Sequence, residues 1–109
     1  MPGERRLYQI FKDKMFETDP NAWVYKIPDT FGIGGKRPFD TIAIVQGVPF
    51  AIEFKSEEGE ATKYQLYQLA TFMLAGGESL IYWEGKESMT KFVSRIMNIV
   101  KEKNAKKHT

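Results

Sequence analysis

The chain of 109 residues contains no cysteine and one histidine, His108, next to the C-terminus. Without cysteine there is no disulfide, no zinc ribbon and no thiolate nucleophile, and a reducing compartment is compatible. With a single terminal histidine, imidazole-activated nucleophiles and histidine-rich metal sites are excluded as well. Metal chemistry is left to hard oxygen ligands and a cation such as Mg²⁺ or Mn²⁺. No apolar run approaches the ~18 residues of a membrane span. Arg5 and Arg6 are not followed by the apolar core of a signal peptide. A cytoplasmic protein without membrane association is therefore expected. Repeats, low-complexity tracts and linkers are missing too, and a net charge of +2 selects no partner by itself.

What is present is ordinary globular material, 42% hydrophobic and 14% aromatic, so residues 1–109 are expected to form one domain with a modest core. Leu7, Ile10, Phe11 and Met15 make an amphipathic stripe that predicts a helix over 4–17, ended by Asp19-Pro20-Asn21. Trp23 to Ile27 reads as a strand stopped by Pro28-Asp29. The following Thr30 to Lys36 is a glycine-bearing loop that lacks the helix and Lys-Ser/Thr of a P-loop. Thr62 opens a second helix to about Ala75, with Tyr67, Ala70 and Leu74, broadened by Leu66, Leu69 and Met73, as its apolar stripe. Thr62-x-x-Gln65 matches a capping box, and Gly76-Gly77 is the stop. Ser79 to Trp83 reads as a short buried strand. Ser88 caps a third helix with Met89, Phe92, Val93, Ile96 and Val100 inward, and residues 101–109 form a basic tail that is expected to fray.

The informative stretch is residues 36–55. Asp40 to Val45 and Val48 to Lys55 have strand composition, and Gln46-Gly47 is a two-residue turn between them. Closing the turn on Val45 and Val48 and counting back sets Asp40 opposite Glu53, in a non-hydrogen-bonded pair with Cα atoms only ~4.5 Å apart. Two like charges there repel. Lys55 lies on the same face by the period of two, so Asp, Glu and Lys cluster at one end of the hairpin and a cation is the missing piece. Phe39, Thr41, Ala43, Val45, Val48, Phe50, Ile52 and Phe54 fall on the opposite, core face. Ile42, Ile44, Pro49 and Ala51 accompany the charges, as in a sheet covered on both sides. An ion triad at a solvated sheet edge would explain the cluster without any chemistry. Glu4 explained as a helix-dipole acid and Gln65 as a cap are equally plain readings.

The order helix, strand, hairpin, helix, strand, helix, with Glu4, Asp40, Glu53-Phe54-Lys55 and Gln65 in those places, resembles the PD-(D/E)xK nuclease superfamily. Within it the chain is most similar to small stand-alone VRR-NUC domains, close to Holliday junction resolvases. One residue, Phe39, separates Pro38 from Asp40, where that superfamily usually has proline adjacent to the acid. The resemblance implies an α/β, restriction-endonuclease-like αβββαβ core, with a mixed sheet flanked by helices and an extra C-terminal helix. It implies that Asp40, Glu53, the Phe54 carbonyl and Glu4 are metal ligands for Mg²⁺ or Mn²⁺. Lys55 would be the catalytic lysine and Gln65 its companion on the following helix, acting with Asp40 and Glu53. Lys36, Arg37 and Lys63 are candidate phosphate contacts. The implied activity is divalent-metal-dependent hydrolysis of DNA, with branched DNA such as junctions or flaps as the expected substrate, by a homodimer without a small-molecule cofactor. A non-catalytic nucleic-acid-binding module of the same fold is the main alternative, which incubation of plasmid with Mg²⁺ or Mn²⁺ would discriminate. A small scaffold protein with a salt-bridge triad is the other, which metal titration would separate.

Overall fold

The computed structural model describes residues 3–28 and 37–106. Lys36 and the rest of the glycine-bearing loop lie outside them. Helix α1 (Gly3–Thr18) is followed by strands β1 (Trp23–Lys26), β2 (Thr41–Val45) and β3 (Val48–Lys55), helix α2 (Lys63–Leu74), strand β4 (Glu78–Trp83) and helix α3 (Met89–Lys106). The strands form one sheet in the order β1-β2-β3-β4, antiparallel except for the β3/β4 pair. The expected mixed α/β sheet between helices is therefore present. α3 stays helical through Lys106, so the fray expected from residue 101 does not begin there. No helix among the described residues is long and apolar enough to cross a membrane.

The hairpin register is the one expected from the turn. Val45 pairs with Val48, and the ladder runs to Thr41 opposite Ile52. Gln46 and Gly47 both have positive φ, 49° and 84°, the type I′ geometry whose twist matches the flanking strands. Pro49 faces Ile44, a position whose N–H is not needed by the β2 ladder.

Each face of the sheet buries its own cluster. On one face Ala43, Val45, Val48, Phe50, Ile52 and Phe54 pack with Leu7, Phe11 and Met15 of α1 and with Phe92, Val93, Ile96 and Val100 of α3. Phe92 stands edge-on to Tyr82 and Phe11 at centroid distances of 5.1 and 5.9 Å. On the other face Ala51 packs with Ile27, Phe39 and Leu69, with Ile42, Phe72 and Ile81 around them. Phe39 thus departs from its expected place: the strand begins at Thr41, alternation does not extend through the bend before it, and its ring turns to meet Phe72 at 5.5 Å. Ile10 also departs, being 40% exposed. At about 100° per residue, Leu7, Phe11 and Met15 span a narrow arc and Ile10 falls off its edge.

α2 is rotated relative to the expected stripe. Leu69 is its buried residue, with Gln65 and Phe72 half-buried beside it. Tyr67, Met73 and Leu74 are 64, 56 and 88% exposed, and Leu66 and Ala70 also face solvent. A helix whose one charged residue is Lys63 offers no polar face from which periodicity could fix its rotation. Its limits, by contrast, are fixed locally. Thr62 and Gln65 form the expected capping box. At the far end Gly77 and Gly76 donate to the Phe72 and Met73 carbonyls in a Schellman motif, with Gly76 at φ 108°. β4 is an edge strand and only Tyr82 is buried in it, so its expected burial is partial.

Candidate active site

Where the β2/β3 ladder stops, side chains continue the pairing. One step past Thr41/Ile52, Asp40 stands opposite Glu53. The Asp40 N–H donates to Glu53 Oε1 at 3.0 Å, and the Phe54 N–H donates to Asp40 Oδ2 at 2.8 Å. The Asp40 carbonyl accepts the Ile27 N–H at 2.8 Å, which ties the end of β1 to the same point. Both acids are buried, Asp40 at 3% and Glu53 at 1% exposure, and Lys55 is buried beside them.

The second oxygen of Glu53 meets two donors, Gln65 Nε2 at 2.7 Å and Lys55 Nζ at 3.0 Å. Gln65 keeps its capping bond, since its Oε1 accepts the Thr62 N–H at 3.0 Å. The oxygen end of the amide therefore caps α2 while the nitrogen end holds Glu53. Lys55 reaches Glu53 because the period of two puts both on one face.

Burial, and then the charge of Asp40, push the Glu53 carboxyl up from 4.5 to about 7, against the hydrogen bond and charge of Lys55 and the charge of Arg37. Desolvation and a neighbouring like charge both disfavour the ionised form.

Arg37 was expected to face a polyanion, and in the protein it lies against Asp40. Its Nη2 forms an ion pair with Asp40 Oδ1, and its Nη1 donates to the Ile27 carbonyl at 2.9 Å. Asp40 Oδ1 is buried and makes no hydrogen bond, so the guanidinium is close enough for charge pairing but out of line for a bond. A cleft of about 390 Å³ opens there, lined by Glu4, Arg5 and Tyr8 of α1, Lys26 of β1, Pro28, Arg37 and Asp40. Tyr8 and Lys26 were missed in the sequence. Lys26 faces Thr41 in the ladder, one step from Asp40, and only the strand order reveals it. Lys63 begins α2 on the exposed side of the Thr62 cap, away from this cleft lining.

Asp40 and Glu53 are the adjacent buried carboxylates, and Phe54 adds a third oxygen. A strand residue presents its N–H and C=O to the same side, and the Phe54 N–H points at Asp40. Among the described residues no three Asp, Glu, His or Cys side chains gather into a cage, so Glu4 shares the cleft without joining the pair. Two carboxylates, of which Asp40 has an oxygen without a hydrogen bond, and a carbonyl fit a hard cation that keeps part of its water shell.

The sequence matches no family model and no curated protein. A solved VRR_NUC domain superposes with a TM-score of 0.59 at 21% identity, covering 87% of this chain and 94% of that one. The fold is that of a VRR_NUC domain. A Holliday junction resolvase, Hjc of Archaeoglobus fulgidus, aligns over 72% of this chain and 69% of its own with a TM-score of 0.46 and 20% identity.

Proposed function

We propose that this VRR_NUC-fold protein is a divalent-metal-dependent endonuclease that hydrolyses DNA phosphodiester bonds, with branched DNA as its preferred substrate. The observation that carries the reading is the interlocked group at the end of the hairpin: two facing buried carboxylates, with Lys55 and Gln65 both on Glu53. A purely structural triad does not need a second acid held against the first. Asp40, Glu53 and the Phe54 carbonyl would hold Mg²⁺ or Mn²⁺, which when bound polarises the scissile phosphate and lowers the pKa of water. Lys55 orients the attacking water and offsets the negative charge that builds on the phosphorus oxygens. Gln65 keeps the Glu53 carboxylate turned to its work. Glu4, across the cleft, holds a water or a further ion. Lys36, Arg37 and Lys63 are the cations for backbone phosphates, which position DNA without reading its sequence.

The protein is proposed to act as a homodimer through the outer face of α2. Leu66, Tyr67, Met73 and Leu74 are exposed there, with Trp23, Tyr25 and Ile44 exposed on the same side of the sheet. The 12 residues of α2 carry one charge, Lys63, so two copies can meet about a two-fold axis without opposing like charges.

A panel of labelled junction, flap, nicked and linear DNAs, each with Mg²⁺ and Mn²⁺, tests the activity. Glu53→Gln and Lys55→Ala are each expected to abolish cleavage while DNA binding persists. Binding without cleavage by the parent on every substrate would make this a non-catalytic nucleic-acid-binding module.

A further inference from the structure

We infer that Arg37 is a built-in competitor for the cation position at Asp40, displaced by the incoming divalent ion and thereby released toward the substrate phosphate. The inference rests on the metal-dependent reading of the site and deepens it. Its basis is the divided use of the Asp40 carboxylate. Oδ2 is committed to the Phe54 N–H. Oδ1, buried and without a hydrogen bond, has the Arg37 guanidinium as its charge partner.

An arginine recruited to stabilise a carboxylate usually presents parallel N–H groups to both oxygens. Here one arm is spent on the Ile27 carbonyl at 2.9 Å and the other lies out of line with Oδ1. The contact is one of charge with little directional bonding, and a divalent ion supplies charge better. Arg37 and Asp40 both line the cleft, together with the cations Arg5 and Lys26, and Arg37 is the one that forms an ion pair with Asp40. Two cations cannot share Oδ1 at close range without repulsion. Arg37 lies outside the strands, with its side chain 18% exposed, so a movement of its side chain breaks no hydrogen bond of the ladder.

The test is Mn²⁺ binding by calorimetry on the full chain without DNA, for the parent, Arg37→Gln, Arg37→Lys and Asp40→Asn. Arg37→Gln is expected to bind about tenfold more tightly than the parent, a difference of ~1.4 kcal/mol. Arg37→Lys, which keeps the charge, should stay near the parent, and Asp40→Asn should lose binding. In the parent itself the Arg37 side-chain N–H resonance should shift on Mg²⁺ titration, which keeps the test open if Arg37→Gln does not fold. Equal or weaker Mn²⁺ binding by Arg37→Gln, or a resonance unmoved at saturating Mg²⁺, overturns the competition while leaving the metal site intact. If neither the parent nor Arg37→Gln binds Mn²⁺, both the competition and the metal-dependent reading fall together.

Discussion

The stability of the metal-free protein should fall as pH rises through neutrality, the reverse of ordinary acid denaturation. Glu53 is the cause. Its carboxyl is pushed from 4.5 to about 7 by burial and by Asp40, so the folded state binds a proton there more tightly than the unfolded chain does. Stability from this group is fully present below about pH 4.5 and is lost as pH climbs through 7. Of the roughly 3 kcal/mol that such a displacement represents, on the order of 2 to 3 kcal/mol is lost between pH 5 and pH 8. For a domain of this size it amounts to roughly 10 °C in melting temperature. Thermal melts in EDTA from pH 5 to pH 8 measure it directly. Asp40→Asn removes the second cause and should flatten part of the slope, while burial, the larger cause, keeps the rest. At pH 7.5 in EDTA the same substitution should melt above the parent, provided that relief at Glu53 exceeds the lost Arg37 pair. Millimolar Mn²⁺ should raise the parent at pH 8 and gain Asp40→Asn clearly less. A melting temperature in EDTA that is flat or rising between pH 5 and 8 would refute the reasoning, because it would mean that Glu53 is not held in conflict with its surroundings.

Other expectations are simpler. Thr41→Val should stabilise the fold by about 1 kcal/mol in urea unfolding, because the Thr41 hydroxyl is buried without a partner. Gly77→Ala should destabilise by roughly 1–3 kcal/mol, since a Cβ there would lie 2.2 Å from the Phe72 ring, which packs on Phe39 beneath the site. Leu74→Glu, at 88% exposure, should leave the monomer fold intact and convert a light-scattering dimer to monomer. A parent that is already monomeric at tens of micromolar would remove the α2 interface and favour nicking or flap substrates.

How far the sequence carried depended on what each element had to count from. The hairpin could be registered because a two-residue turn leaves one pairing, and Asp40 opposite Glu53 followed two strands' length away. Alternation then failed one residue outside the strand, at Phe39, since the period of two belongs to extended backbone and not to the bend before it. α2 gave the opposite lesson. Its ends were legible from Thr62, Gln65 and Gly76-Gly77, but its rotation was not, because an almost uncharged apolar helix looks buried on every side. The side it turns inward is set by Gln65 reaching Glu53 and by Phe72 reaching Phe39, contacts that exist only after the sheet has formed. Glu4 and Tyr8 in the cleft with Asp40 likewise depend on how α1 docks across the sheet, and Lys26 on the strand order, which no local pattern encodes.

Gln65 also shows why a structural and a functional reading of one residue need not compete. Capping commits its oxygen to the Thr62 N–H, and an amide so fixed has only its N–H₂ left to offer. What faces Glu53 is therefore a donor, and a donor favours the ionised carboxylate. The Asp40 N–H and Lys55 add two more contacts of the same preference, while burial and the Asp40 charge favour the protonated form. The opposing groups leave Glu53 near 7, where Lys55 is the larger and Arg37 the smaller of the cations that favour its charged form. With the monovalent guanidinium of Arg37 the balance remains close. On the proposed metal-dependent reading, a divalent ion in its place would add charge beside both acids and favour the Glu53 carboxylate, so that binding of the ion and ionisation of its ligand would become a single event.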